Sequence, residues 1–175
     1  MNTAILAMPA TYKRNVAGTY RSLAPEGIEA ELPPGPCVVS EKIDGETWFL
    51  QSDGERCVLL SPFGKKLAGI PLTDEAERTL HGWRGLLAGE LYAAADSGRP
   101  HVFDLHAALG SGVHAQTERL RFAAFDVLMD RETDVQRKPF AERLARLQQI
   151  VDHSGERFHL APFQTAETTA DVVAC

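Results

Sequence analysis

The sequence predicts an α+β domain with mainly antiparallel sheets and flanking helices, and three observations carry that expectation. Short apolar runs recur between turn residues, at Cys37–Ser40, Thr47–Leu50, Arg56–Leu60, Leu86–Ala93 and Leu120–Met129. Asp53-Gly54 separates two of those runs, which is a hairpin signal. Apolar residues at helical spacing appear only in a few short blocks, and neither repeat nor linker divides the chain, so one domain is the simplest organisation.

The elements follow in order. Residues 1–36 read as an irregular N-terminal segment, because Pro25, Pro33, Pro34 and Pro36 break any long element. The domain proper is expected over 37–175. Its first strand is Cys37–Ser40, followed by the hairpin around Ser52-Asp53-Gly54-Glu55. Thr73–His81 is predicted helical, with Thr73 as N-cap and Glu75 and Glu77 early in it. Leu86–Ala93 reads as a strand, His101–Leu109 as a helix and Leu120–Met129 as a strongly apolar strand. Pro139–Val151 is the clearest helix. Pro139 suits its first position, and Phe140, Leu144, Leu147, Ile150 and Val151 recur along one side. Phe158–Phe163 is predicted as one strand, and residues 165–175 open another helix-like stretch.

Composition excludes several classes. The chain has 175 residues, 44% of them hydrophobic and 24% charged, as in a globular domain. No apolar run approaches the roughly 18–20 residues that span a membrane. Met1–Gly18 lacks the apolar core of a signal peptide. Cys37, Cys57 and Cys175 are too few and scattered for a disulfide framework or zinc site, which fits thiols in a reducing cytoplasm. The six histidines, at 81, 101, 106, 114, 153 and 159, form no metal-ligand pattern and read as surface or core residues. Gly110-Ser111-Gly112 is a short flexible loop without the Gly-Lys-Ser/Thr of a phosphate cradle. No Gly-x-Ser-x-Gly nucleophile elbow is present. The net charge of −6 runs against a chain that grips nucleic acid on its own.

The segment richest in chemistry is Ser40-Glu41-Lys42-Ile43-Asp44-Gly45-Glu46, between two predicted strands. A lysine on such a loop is a nucleophile toward phosphorus when its amine is unprotonated. Glu41, Asp44 and Glu46 favour the ammonium instead. Bound divalent metal would neutralise the carboxylates and counter them. Gly45 permits a turn or a close ligand approach. Read alone, the segment is too short to carry that chemistry, and an exposed lysine in a charged turn is the favoured reading.

The segment resembles motif I, Lys-x-Asp-Gly, of the covalent nucleotidyltransferases: ATP-dependent DNA ligases, RNA ligases and mRNA capping enzymes. Further segments match in order. Leu59-Leu60-Ser61-Pro62-Phe63-Gly64-Lys65 is similar to the Ser-Arg-Asn-Gly segment, Gly89-Glu90-Leu91 to the Gly-Glu-Leu strand, and Phe122–Leu128 to motif III. Pro139–Leu144 resembles the helix after motif III in bacterial DNA ligases. The resemblance runs from about Val39 to Val151. It implies an ATP-grasp-like nucleotidyltransferase domain, incomplete, using ATP with Mg2+ or Mn2+. Lys42 would take AMP, with Asp44 as its catalytic companion. Glu41, Ile43, Gly45, Glu90 and Phe125 would bind nucleotide, and Glu90 with Asp126 would hold metal. Each has a rival reading: Glu90 a solvent-facing glutamate, Phe125 ordinary core packing. A charge at Asp126 within an apolar strand demands a partner or a metal.

The implied function is polynucleotide ligation in DNA repair, most simply of nicked DNA. RNA ligation, a capping-type guanylyltransferase and a non-catalytic nucleotide-binding remnant are the alternatives. Glu41 directly before the lysine is closer to RNA ligases; the helix after motif III is closer to DNA ligases. Two departures weaken contacts to sugar and phosphate: Thr47 and Pro62 stand where the family carries arginines, with Arg56, Lys65 and Lys66 nearby. Motif IV, the paired lysines of motif V and the OB-fold domain are not found before Cys175. The expectation is therefore a partial adenylylation domain with weak or absent ligation alone, and an open sheet edge prone to association.

Overall fold

The computed structural model describes residues 8–12, 21–32, 34–95, 98–110, 115–152, 155–168 and 171–172. Two sheets organise them. The larger begins with β2 (Glu46–Asp53) and β3 (Cys57–Leu60), joined by the expected hairpin. Asp53 builds that turn, its Oδ1 accepting the backbone N–H groups of Glu55 and Arg56 at 3.0 and 2.8 Å. Gly54 supplies φ +97°, which a side chain would resist. Strands β4 (Lys66–Leu67), β5 (Arg84–Ala93), β6 (Leu120–Asp130) and β7 (Thr133–Asp134) complete the order β4-β3-β2-β5-β6-β7. All these pairings are antiparallel, while β8 (Phe158–Leu160) joins β6 in parallel. The second sheet pairs β1 (Cys37–Ser40) with β9 (Phe163–Ala166).

Four sequence expectations need correction. The run from Phe158 to Phe163 is two strands in different sheets, divided at Ala161-Pro162, because proline cannot donate within a ladder. Helix α2 spans Pro71–Thr79, after the short α1 (Ile28–Glu31). It starts earlier than Thr73 because Pro71 fits the first turn. Thr73 sits inside, its hydroxyl accepting the Ile70 N–H at 3.0 Å. Helix α3 is Val102–Ala108, as expected, and α4 is Phe140–Ile150 with Pro139 at the N-cap. The N-terminal segment is not wholly irregular, since residues 8–12 are helical and Pro25–Gly27 forms a 3-10 turn. Beyond β9 only residues 171–172 are described as helical, and Cys175, His114, His153 and Ser111-Gly112 lie outside the described residues.

Strand alternation divides the large sheet into two faces. One carries Trp48, Leu50, Leu87, Leu91, Phe122, Ala124 and Val127. It is covered by Leu72 and Ala76 of α2, Leu105 and Ala108 of α3, and Leu144, Leu147 and Ile150 of α4. The other carries Phe49, Leu60, Leu86, Ala88, Leu128 and Met129 under Tyr12. Tyr12 meets Phe49 edge-on, with ring centroids 5.5 Å apart. The pairing of β5 with β6 slips twice, leaving Leu128 and Phe125 as extra residues on β6. Such bulges re-aim side chains, and both residues pack on the face beneath Tyr12.

Candidate active site

The lysine loop runs from the end of β1 to the start of β2, over residues 41–45. At Gly45 its backbone lies tight against β5. A Cβ there would overlap the Leu91 carbonyl oxygen, so only glycine lets the loop lie against the strand. That approach brings the expected residues together. Thr47 is opposite Glu90 in the β2–β5 ladder, and opposed residues share a face. The Gly45 backbone, the Thr47 side chain and the charges of Lys42 and Asp44 all act on the Glu90 carboxylate. Burial dominates, pushing the Glu90 carboxyl up to about 6; Gly45, the Lys42 charge and Thr47 offset part of the rise. Lys42 is exposed, while Ile43, Asp44 and Glu90 are half-buried.

Beside the loop lies a cleft of about 170 Å³, lined by Glu41, Ile43 and Asp44 on one side and by Tyr92, Arg99, Pro100, His159 and Pro162 on the other. The Tyr92 hydroxyl and His159 Nε2 stand 3.2 Å apart on its wall. Burial raises the Tyr92 phenol and lowers the His159 imidazole, Arg121 adding to the latter, so both favour their neutral forms. A larger apolar groove of about 520 Å³ runs between the β1–β9 pair and α4, lined by Val38, Phe140, Leu144 and Phe163. It holds none of the candidate residues, so size alone does not mark the chemistry.

Phe125 is half-buried on the same face as Glu90, further along β6. Asp126 was expected to hold metal with Glu90, but its carboxylate is already engaged. Arg143 donates Nε to Oδ1 at 2.7 Å and Nη2 to Oδ2 at 3.0 Å, the Tyr12 hydroxyl lies 3.2 Å from Oδ2, and the Val127 N–H reaches Oδ1 at 2.8 Å. Asp126 is 2% exposed, and this ion pair meets the demand that burial makes on it. The strand charge thus has a protein partner and ties α4 to β6. Among the described residues no cluster of three or more histidine, cysteine or acidic side chains forms a ready-made metal cage. Oxygen donors from Glu90 and Asp44 do suit magnesium, which commonly takes one or two carboxylates and completes its shell with substrate phosphate and water.

The sequence reading missed the side chains around the loop. Arg99 Nη2 lies 3.2 Å from Glu41, His101 Nδ1 3.4 Å from Asp44, and His106 Nε2 2.8 Å from Glu46. Only folding joins them to the loop: His101 stands at the N-cap of α3 and His106 in its last turn.

Comparison with known proteins gives the family. The model of the ATP-dependent DNA ligase domain matches residues 22–174. The chain belongs to that family. A probable DNA ligase from Streptomyces griseus is 34% identical over 143 residues, covering 75% of this chain and 27% of that protein. Two solved structures share the fold, each with a TM-score of 0.61 at 18% identity. One is a mycobacterial DNA ligase D complexed with ATP and MES, with 81% of this chain matched to 44% of that one. The other is the ligase domain of Mycobacterium tuberculosis LigD, matched over 81% and 43%. The chain therefore spans about a quarter of the Streptomyces protein and less than half of either solved chain. The mixed, mainly antiparallel architecture described above is the one these solved ligase chains share. No described helix is long and apolar enough to cross a membrane.

Proposed function

We propose that this ligase-family chain carries the adenylylation chemistry of an ATP-dependent DNA ligase, with Lys42 as the nucleophile. The neutral Nζ attacks the α-phosphorus of ATP. A nitrogen–phosphorus bond forms, the bond to pyrophosphate breaks, and the lysine proton passes to solvent, leaving lysyl-AMP. AMP then moves to the 5′-phosphate of nicked DNA, activating it for sealing. The observation that supports this most is the convergence of Lys42, Asp44, Gly45 and Glu90 where the loop crosses β5. Glu90, ionised, would bind the ribose or a divalent ion, Phe125 would stack on adenine, and Glu41 and Ile43 would border the base. Mg2+ or Mn2+, when bound, would supply positive charge that offsets the carboxylates and the developing phosphate charge. Asp44 and Glu90 are the residues that would hold it, and Asp126 acts instead by anchoring α4. The expected setting is cytoplasmic nick repair. The free thiols of Cys37 and Cys57 fit that setting.

Incubation of the chain with α-labelled ATP or GTP and Mg2+, followed by denaturing electrophoresis and peptide mapping, tests the reading. Label from ATP on Lys42, lost in Lys42→Ala, is expected. Label from GTP in its place would make the chain a capping-type guanylyltransferase. Protection from heat by either nucleotide, without label, would make it a binding remnant. Nicked duplexes with DNA or RNA ends then identify the acceptor.

A further inference from the structure

The chain carries a net charge of −6, but the turn after β3 departs from that balance. From Arg56 to Thr73 there is no aspartate or glutamate, and the charged residues are Arg56, Lys65 and Lys66. The turn itself, Ser61-Pro62-Phe63-Gly64-Lys65, joins β3 to β4 and closes around the buried Ser61. Ser61 Oγ accepts the N–H groups of Lys65 at 2.9 Å and Phe63 at 3.3 Å. The Ser61 N–H donates to the Lys65 carbonyl at 2.9 Å, and the Gly64 N–H to the Ser61 carbonyl at 3.1 Å. From this frame Phe63 stands 95% exposed, more than any other large apolar side chain among the described residues. A ring left in water adds no apolar burial, so the fold gains no stability from holding it there.

The turn lies at the reactive end of the large sheet. Leu60, the last residue of β3, is opposite Phe49 near the start of β2, and the lysine loop enters β2 at Glu46. The Lys65 charge acts on Glu46. Lys66 is opposite Leu60, and opposed residues share a face, so Lys66 borders the face that carries Glu90. Both lysines are exposed, and neither forms an ion pair among the described residues.

We propose that Phe63, Lys65 and Lys66 form a binding site for a single-stranded stretch of DNA beside the break to be sealed. This deepens the adenylylation reading, and the choice of DNA as partner rests on it. The ring stacks on an unpaired base while the two ammonium groups meet the flanking phosphates. Phenylalanine has no donor or acceptor with which to read a base edge, so the contact is indifferent to sequence. Inside a duplex each base face is covered by its neighbours. The ring therefore selects bases left unstacked, as in a gap or at a frayed end. The hydrogen-bonded frame holds the ring ready and lowers the ordering cost of binding.

Fluorescence anisotropy with a labelled single strand of about twelve nucleotides, and with an abasic strand of the same length, tests the site. Wild type is expected to bind the strand with bases more tightly than the abasic one. Phe63→Ala should weaken binding to the former by about fivefold to tenfold and leave the abasic strand unaffected. Phe63→Tyr keeps the ring and should bind within about twofold of wild type. Lys65→Gln/Lys66→Gln should weaken both strands and flatten the slope of log affinity against log salt by about 1.4, or 0.7 for each phosphate released. The unfolding midpoint of Phe63→Ala should match wild type, and a lowered midpoint would show that the ring packs on the protein instead. Equal affinity for the two strands, or an unchanged Phe63→Ala, overturns the proposal. Binding of wild type to anionic phosphatidylserine vesicles but to neither strand would give the tip to a lipid surface and overturn it as well. No arm of the test contains ATP. A chain that takes no label from ATP yet binds single strands through Phe63 loses the adenylylation reading alone, and one that labels on Lys42 yet ignores single strands loses this inference alone.

Discussion

The two faces of the large sheet are built from the same strands and do opposite work. On the helix-covered face, Trp48, Leu50, Leu87, Leu91 and Phe122 are almost completely buried under α2, α3 and α4. On the other, an apolar patch under Tyr12 gives way along the strands to Thr47, Glu90 and Phe125, which stay half-buried. Alternation makes this division possible: Leu91 stabilises one side while Glu90, its neighbour in sequence, faces the other. Stability can thus be concentrated on one surface, leaving the opposite one free to carry polar groups that a core would not tolerate.

The largest expected effect breaks the helix-covered face. Phe122 is fully buried and stacks on Phe158 with ring centroids 6.3 Å apart. Phe122→Ala should cost about 3–5 kcal/mol, read by urea denaturation. A loss below about 1 kcal/mol would mean that the main core is not where the helices lie, and the contrast between faces would collapse.

A smaller effect is expected where the faces are tied together. Asp126 shares the site face with Ala88, its partner across the ladder, yet its guanidinium partner comes from α4 on the other side. Asp126→Asn leaves the Arg143 charge without its anion. Because Arg143 remains 12% exposed, the cost should fall near the low end for a broken buried pair, about 2–3 kcal/mol. Thermal unfolding measures it. A variant of unchanged stability that demands more Mg2+ for adduct formation would return Asp126 to the metal set.

Much of this was legible in the sequence, for identifiable reasons. The hairpin at Asp53-Gly54, the strand around Glu90 and the helix behind Phe140 each depend on local spacing, and each forms within a few residues of its expected limits. The lysine loop was visible because motif residues sit close together in the chain. What stayed hidden depends on contacts between distant segments. The apolar stretch from Phe158 to Phe163 gave no sign that its halves serve different sheets beyond a single proline. A charge inside an apolar strand announced that Asp126 needs a partner, but metal and arginine satisfy that demand equally, and only the packing of α4 selects Arg143. Arg99, His101 and His106 follow no metal-binding spacing, since their partners lie in the lysine loop rather than in one another.

The smallest effect is the one that separates the faces most sharply. Burial holds the Glu90 carboxyl at about 6, above the ordinary 4.5 of an unfolded chain. A raised acid favours the folded state while protonated. That contribution is complete below the unfolded value and is lost as pH climbs through about 6. Above this range the ionised Glu90 opposes folding, by about 1 kcal/mol once its partial exposure is allowed for. Glu90→Gln keeps the shape and removes the charge. Its stability should match wild type at about pH 4 and exceed it by that margin at about pH 8, measured by denaturant titration at both. On the helix-covered face no such gain is available, because every truncation there removes packing. A Glu90→Gln chain that is less stable than wild type at high pH would show that this carboxylate supports the fold, and the site face would then be an extension of the core. The expected gain instead marks Glu90 as a group retained against the interest of stability, as residues kept for chemistry commonly are.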